Sequence, residues 1–266
     1  MKKTLFAILL FSNLIFAQLD FDQYFENKTL RLDYYHTGND TIDAYSFDEL
    51  IEEPFWGGSK TNLLDRFDYG KYKIVVIDVE SGKEIYSRTY STLFSEWQTT
   101  DEAKQTTKSF SETVVFPFPK ENVIVEFYSR DKKNKLHKKF EYLVNPKSYF
   151  IKTERQLEYK NFEVLKSNEP DKAVDIVIVP DGYTNDEMEK FKKDCEKFAE
   201  YLFNASPYKE NKNKFNIWGI EAPSKESGTD IPAEDIWKNT IVNSQFYMFD
   251  LDRYLMTSDN KTLRNI

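Results

Sequence analysis

Two different periodicities divide the chain. From about residue 28 to 145, apolar and polar positions alternate. Leu30, Leu32 and Tyr34 interleave with Arg31, Asp33 and Tyr35, and Tyr72, Ile74 and Val76 share one face. Tyr86, Arg88 and Tyr90 follow, then Val123, Val125 and Phe127, then Phe140, Tyr142 and Val144. A period of two marks a half-buried strand, because successive side chains point to opposite faces. Turn-forming strings separate the runs: Thr37-Gly38-Asn39-Asp40, Glu80-Ser81-Gly82-Lys83 and Asp131-Lys132-Lys133-Asn134. Short alternating strands between such turns predict an antiparallel β-sandwich over residues 19–148. Residues 96–104 read as a short helix inserted between strands.

From residue 173 the pattern changes. Residues 173–179 are apolar apart from Asp175, the mark of a buried strand. Thr184 and Glu187 fit a capping box at a helix start. Met188, Phe191, Cys195, Phe198 and Leu202 then recur at three- and four-residue steps, one face of a helix over 186–203. Phe215-Asn216-Ile217-Trp218-Gly219-Ile220 reads as a further strand. Strand, loop, helix and strand in that order open an α/β domain, here residues 173–266. The polar stretch 149–172, with Pro146 just before it and Pro170 within it, reads as the linker. The expected fold class is therefore α+β with two domains.

The N-terminus carries an address. Met1-Lys2-Lys3 is a short positive start, residues 4–16 are mostly apolar, and Ala17-Gln18 offers a small residue before a cut. That layout predicts a secretory signal peptide over residues 1–17, and hence export to the periplasm or the cell exterior. The apolar run is too short to span a bilayer, and no later segment is a candidate span.

Composition narrows the choice. The 266 residues are 40% hydrophobic and 16% aromatic, enough for a sizeable core. A formal charge of −8 argues against nucleic acid as partner, since phosphate binding needs a positive face. One Cys excludes an internal disulfide framework.

Candidate chemistry is sparse. Of the two His residues, His36 lies in the core phase of its strand and His137 in the outward phase, beside Lys138 and Lys139. They share no metal-ligand spacing. Cys195 on an apolar helix face reads as a small hydrophobe. Gly57-Gly58-Ser59-Lys60-Thr61 lacks the Gly before Lys of a phosphate loop. Asp250-Leu251-Asp252 lacks the Gly that a calcium loop needs at its sixth position, where Leu255 stands. No pair of carboxylates is singled out by spacing for hydrolytic chemistry. Asp181-Gly182-Tyr183 is more informative, because it follows a strand end and precedes a capped helix, where α/β domains place ligands. A tight turn with Gly182 at positive φ and Tyr183 packed inward is the other reading. The polar loop Ser224, Lys225, Glu226, Ser227, Gly228, Thr229 and Asp230 follows the next strand and reads as a binding or a plain surface loop.

Several strings resemble a known family. Glu96-Trp97-Gln98-Thr99-Thr100-Asp101-Glu102-Ala103, Phe116-Pro117-Phe118-Pro119-Lys120, Ser129-Arg130-Asp131-Lys132, His36-Thr37-Gly38-Asn39 and Trp56-Gly57-Gly58-Ser59-Lys60-Thr61 are similar to the N-terminal domain of IgA-peptidase-type zinc metallopeptidases. Asp175-Ile176-Val177-Ile178-Val179-Pro180-Asp181-Gly182-Tyr183-Thr184 resembles the opening of that family's catalytic domain. Phe215-Asn216-Ile217-Trp218, Ser227-Gly228-Thr229-Asp230, Trp237-Lys238-Asn239-Thr240 and Arg253-Tyr254-Leu255 follow in the family's order. The resemblance implies an exported peptidase with a sandwich domain before a zincin-like catalytic domain, acting on a protein substrate such as immunoglobulin. It implies zinc held by a His-Glu-x-x-His helix, with the Glu as general base on zinc-bound water.

That motif occurs nowhere in residues 1–266. No catalytic residue and no metal ligand is therefore assigned, and no zinc is expected on this chain. The chain reads as one that stops before its catalytic helix, or else as a short, inactive relative. A partial zincin domain leaves apolar faces uncovered, so residues 166–266 are expected to be marginally stable alone. Asp181, Gly182, Tyr183, Ser224, Ser227, Gly228, Thr229 and Asp230 are the candidate cleft-lining, substrate-binding residues. The rival reading is a secreted, non-catalytic protein that binds through exposed aromatics of the sandwich, with the Tyr86 and Tyr90 face as the place to look.

Overall fold

The computed structural model describes residues 19–153 and 159–266. The leader expected at residues 1–17 lies outside the described residues. A short helix α1 (Phe21–Tyr24) leads into β1 (Phe25–Gly38), β2 (Asp43–Glu53), β3 (Tyr72–Asp78) and β4 (Glu84–Tyr90). Helix α2 (Leu93–Trp97) comes next, then β5 (Lys108–Pro119), β6 (Val123–Arg130), β7 (Leu136–Val144) and β8 (Lys152–Thr153). The remainder is β9 (Asn161–Leu165), β10 (Val174–Ile178), α3 (Met188–Asn204), β11 (Phe215–Ile220) and α4 (Asn260–Asn265). The fold is α+β, as the two periodicities predict.

Two four-stranded sheets form the N-terminal unit, with orders β5-β1-β2-β8 and β4-β3-β6-β7. Leu30, Leu32 and Tyr34 from the first sheet and Ile74, Val76, Val125 and Phe127 from the second are at most 1% exposed and share one core. The alternation read in the sequence is what puts them there. β6 buries every second residue along its length. The helix expected at residues 96–104 is instead α2, a few residues earlier, followed by a 3-10 turn at Glu102–Lys104. Trp97 plugs this corner of the core, and its indole N–H donates to Glu102 at 2.7 Å.

Alternation fails in one place. Arg31 and Asp33 stand on the outward phase of β1, yet both are buried. The guanidinium holds Asp33 through two bonds of 2.8 and 2.7 Å. It also donates to the Arg264 carbonyl at 3.3 Å and to Asn265 at 3.0 Å. Helix α4 thus covers β1 at Arg31 and Asp33, while Tyr35 further along the same face is 38% exposed. The Tyr86 and Tyr90 face proposed for binding is likewise interior. Tyr86 is 3% exposed, and the Tyr90 hydroxyl meets that of Tyr34 at 3.0 Å.

The C-terminal sheet has order β10-β11-β9. β10 and β11 are parallel and are joined through α3, while β9 pairs with β11 antiparallel. The stretch 149–172 thus contains β8 and β9. Met188, Phe191 and Cys195 of α3 pack on Phe162, Val164, Ile178 and Tyr183. Phe198, expected on this face, is exposed, and Phe203 is buried in its stead. β10, expected to be a buried strand, is a sheet edge. Val174 and Val177 are 54% and 53% exposed, because the strand has one neighbour and α3 covers one face.

Candidate functional site

The Asp181, Gly182 and Tyr183 turn leaves the C-terminal end of β10 and enters α3. The predicted capping box forms here: Glu187 accepts from the Thr184 N–H at 2.9 Å and from its hydroxyl at 3.0 Å. Gly182 has φ +75°, and a Cβ there would stand 2.3 Å from the Gly228 carbonyl oxygen. Only glycine allows that approach. The Gly228 N–H donates to the Gly182 carbonyl at 3.0 Å. Gly228 itself has φ +98°.

The loop at 224–230 closes against this turn. The buried Ser224 hydroxyl accepts from the Gly182 N–H at 2.9 Å and from the Ile241 N–H at 3.0 Å. The Ser224 N–H donates to the Tyr183 carbonyl at 2.8 Å. The Ser227 hydroxyl donates to Glu187 at 3.0 Å. All eight residues singled out in the sequence therefore belong to one knot of loops at the end of β10.

A third segment of the knot, the loop at residues 240–244, has no periodicity that would mark it in advance. Asp181 binds it, accepting from the Thr240 hydroxyl at 3.2 Å, the Val242 N–H at 3.1 Å and the Ser244 N–H at 3.2 Å. The Ser244 hydroxyl also donates to it. Thr229 donates to the Ser244 carbonyl at 2.6 Å, and Asp230 accepts from the Lys238 N–H at 2.6 Å. Most polar groups of the knot are thus engaged within it. Hydroxyls that reach a carboxylate, Ser227 on Glu187 and Ser244 on Asp181 among them, tie the three segments to one another.

Tyr183 packs against α3. Its ring lies 5.3 Å from that of Phe191, the Lys190 ammonium sits over it at 4.6 Å, and its hydroxyl donates to Asp194 at 3.0 Å. Burial and then the Asp194 carboxylate push the phenol above its ordinary value. The Thr184 backbone and the Ser227 hydroxyl hold the Glu187 carboxyl below the usual range.

The residues present do not fit zinc. His36 is buried in the N-terminal unit, with Nδ1 3.2 Å from Glu112 and Nε2 2.6 Å from Asp43. His137 lies on the surface against Asp131 at 2.8 Å. Among the described residues no three His, Cys, Asp or Glu side chains converge. Cys195 is buried, and burial with the charges of Asp194 and Glu196 pushes its thiol up to about 11.

Comparison with protein families gives the class of the chain: it is a peptidase-family protein. The chain belongs to the M64 metallopeptidase family, since Peptidase M64 N-terminus matches residues 20–141 and IgA Peptidase M64 matches residues 162–266. The second match contains the whole loop knot. Comparison with curated proteins finds no match. Membership of a peptidase family implies a protein substrate. No helix among the described residues is long and apolar enough to cross a membrane.

Proposed function

We propose that this chain is the N-terminal part of an exported zinc metallopeptidase, delivered by the leader at residues 1–17. In this reading the two-sheet unit is the family's sandwich domain, and residues 162–266 open its zincin-like catalytic domain. Asp181, Gly182, Tyr183, Ser224, Ser227, Gly228, Thr229 and Asp230 then line one wall of the cleft that receives an extended polypeptide. The observation that carries the reading is the knot itself. It sits at the C-terminal end of a parallel strand, within the segment matching the IgA-peptidase family, and it is held rigid by Asp181. Among the described residues no three His, Cys, Asp or Glu side chains come together as a zinc site.

Mass spectrometry and metal analysis of the native mature protein test this reading. A mass above that of residues 18–266, with zinc bound and peptide bonds cleaved, supports it. A mass equal to residues 18–266, without hydrolysis, sinks it.

The second reading is a secreted binding protein, and one observation favours it. Phe67 and Tyr69 are 71% and 86% exposed and lie 5.9 Å apart. Asp65 fixes their loop, accepting from the Phe67 N–H at 2.8 Å and the Thr89 N–H at 2.7 Å. Rigid exposed aromatics carry binding energy at low entropic cost. Loss of binding to a host surface on changing both to Ala would favour this reading over the first.

A further inference from the structure

The loop that carries Phe67 and Tyr69 is tied to a second one. Arg130, the last residue of β6, donates to the Asp68 carbonyl at 2.8 Å and the Gly70 carbonyl at 3.0 Å. The same guanidinium donates to the Asn134 carbonyl at 2.9 Å, in the turn between β6 and β7. The two loops thus form one ridge, and an aspartate sets the backbone of each. Asp65 accepts from the Phe67 and Asp68 N–H groups at 2.8 and 3.1 Å. Asp131 accepts from the Lys133 and Lys135 N–H groups at 2.7 and 2.9 Å. Asp68 and Asn134 take positive φ, 53° and 61°, which their residue types tolerate best in tight turns. The fixed backbone holds the Phe67 and Tyr69 rings side by side in solvent, with 30° between their planes.

The charge of the ridge is opposite to that of the chain. Across residues 65–73 and 130–135 seven Lys and Arg stand against three Asp, whereas the whole chain is at −8. All three aspartates are engaged: Asp65 and Asp131 by backbone N–H groups, and Asp68 by Arg130 at 3.3 Å and Lys73 at 3.6 Å. Arg66, Lys132, Lys133 and Lys135 are exposed, and among the described residues none of the four is ion-paired.

Exposed rings beside unpaired cations match the chemistry of an anionic membrane surface. Aromatic rings settle at headgroup level, and basic side chains are drawn to anionic lipid. The Phe67 ring has no polar atom and gains by leaving water for acyl chains, while Tyr69 keeps a hydroxyl for the wet side. A pair of turns can also touch a plane while the acidic remainder of the chain stays back in screening salt. A flexible polyanion such as single-stranded nucleic acid would fold onto that remainder and be repelled.

We propose that the ridge of residues 66–69 and 132–135 docks the protein on an anionic lipid surface, with Phe67 and Tyr69 entering the headgroup layer and Arg66, Lys132, Lys133 and Lys135 meeting lipid phosphates. The proposal rests on the binding reading of the Phe67 and Tyr69 loop, and not on the peptidase reading. Co-sedimentation of the full mature chain with phosphatidylglycerol vesicles and with phosphatidylcholine vesicles tests it. Partition is expected to be roughly ten-fold or more stronger on phosphatidylglycerol and to fall as salt is raised. Joint K132A, K133A and K135A is expected to remove that preference. Joint F67A and Y69A is expected to weaken partition while keeping its salt dependence. All five side chains are exposed, so both variants should keep the unfolding midpoint. If the lysine variant fails to fold, the aromatic variant and the salt series decide. Equal partition onto the two lipids, or wild-type partition in either variant, overturns the proposal. So does a chain that ignores both vesicles but retains oligothymidylate. A chain that ignores vesicles yet loses a host protein or glycan on F67A and Y69A also overturns the lipid partner, and leaves the binding reading standing.

Discussion

At the residue scale, a single carboxylate joins segments some sixty positions apart. Asp181 accepts from the backbone of Val242 and Ser244, both of which are buried. Asp181→Ala strands those donors, and the expected cost is roughly 2–4 kcal/mol by urea denaturation. Gly182→Ala faces both a positive φ and the Gly228 oxygen, and is expected to cost at least about 1–3 kcal/mol. The turn was legible in the sequence because Gly follows a strand end. The partners of Asp181 were not, because a loop far along the chain carries no periodic signal.

His36 adds a pH dependence. Burial opposes its protonation, but hydrogen bonds and charges from Asp43 and Glu112 outweigh this and raise its value above 6.5. Stability from this pair is full below 6.5 and lost as pH rises through the folded value. Asp43 runs the other way. Despite burial, the His36 and Ser129 hydrogen bonds lower it, so its contribution is present above about 3.8 and lost as acid protonates it. The unfolding free energy is expected to pass through a maximum between these limits. His36→Gln should remove the alkaline decline, which denaturation at a series of pH values would show.

At the scale of elements, β1, β3, β4, β6 and β7 were readable because their alternation reflects one buried and one wet face. β2 and β5 were harder. β2 carries two aspartates and three glutamates among its eleven residues, and β5 ends in Pro117 and Pro119. β10 misled for the opposite reason, since an apolar run reads the same whether its strand is covered or at an edge. Arg31 and Asp33 looked like a solvent-facing pair because α4, which buries them, lies more than two hundred residues away. Arg31→Ala leaves the Asp33 charge buried without its guanidinium, and the expected loss is about 3–5 kcal/mol. It should also free α4, which hydrogen exchange of residues 260–265 would register as faster exchange.

At the scale of the whole molecule, the two parts are unequally built. The two-sheet unit has a closed core of aromatic and branched side chains, whereas the three-stranded sheet shows solvent Val174 and Val177, and α3 shows Phe198 and Tyr201. Residues 162–266 are expected to open at lower denaturant than the two-sheet unit, and Val177→Lys to lower light scattering on concentration. Cys195 offers a gauge of that opening. It is on the inward face of α3, it is the chain's one sulfhydryl, and a thiol pushed up to about 11 is almost wholly un-ionised at neutral pH. An alkylating reagent can therefore modify the protein only as often as α3 lifts from its sheet. The rate of labelling becomes a stopwatch for that event, and it needs no introduced probe.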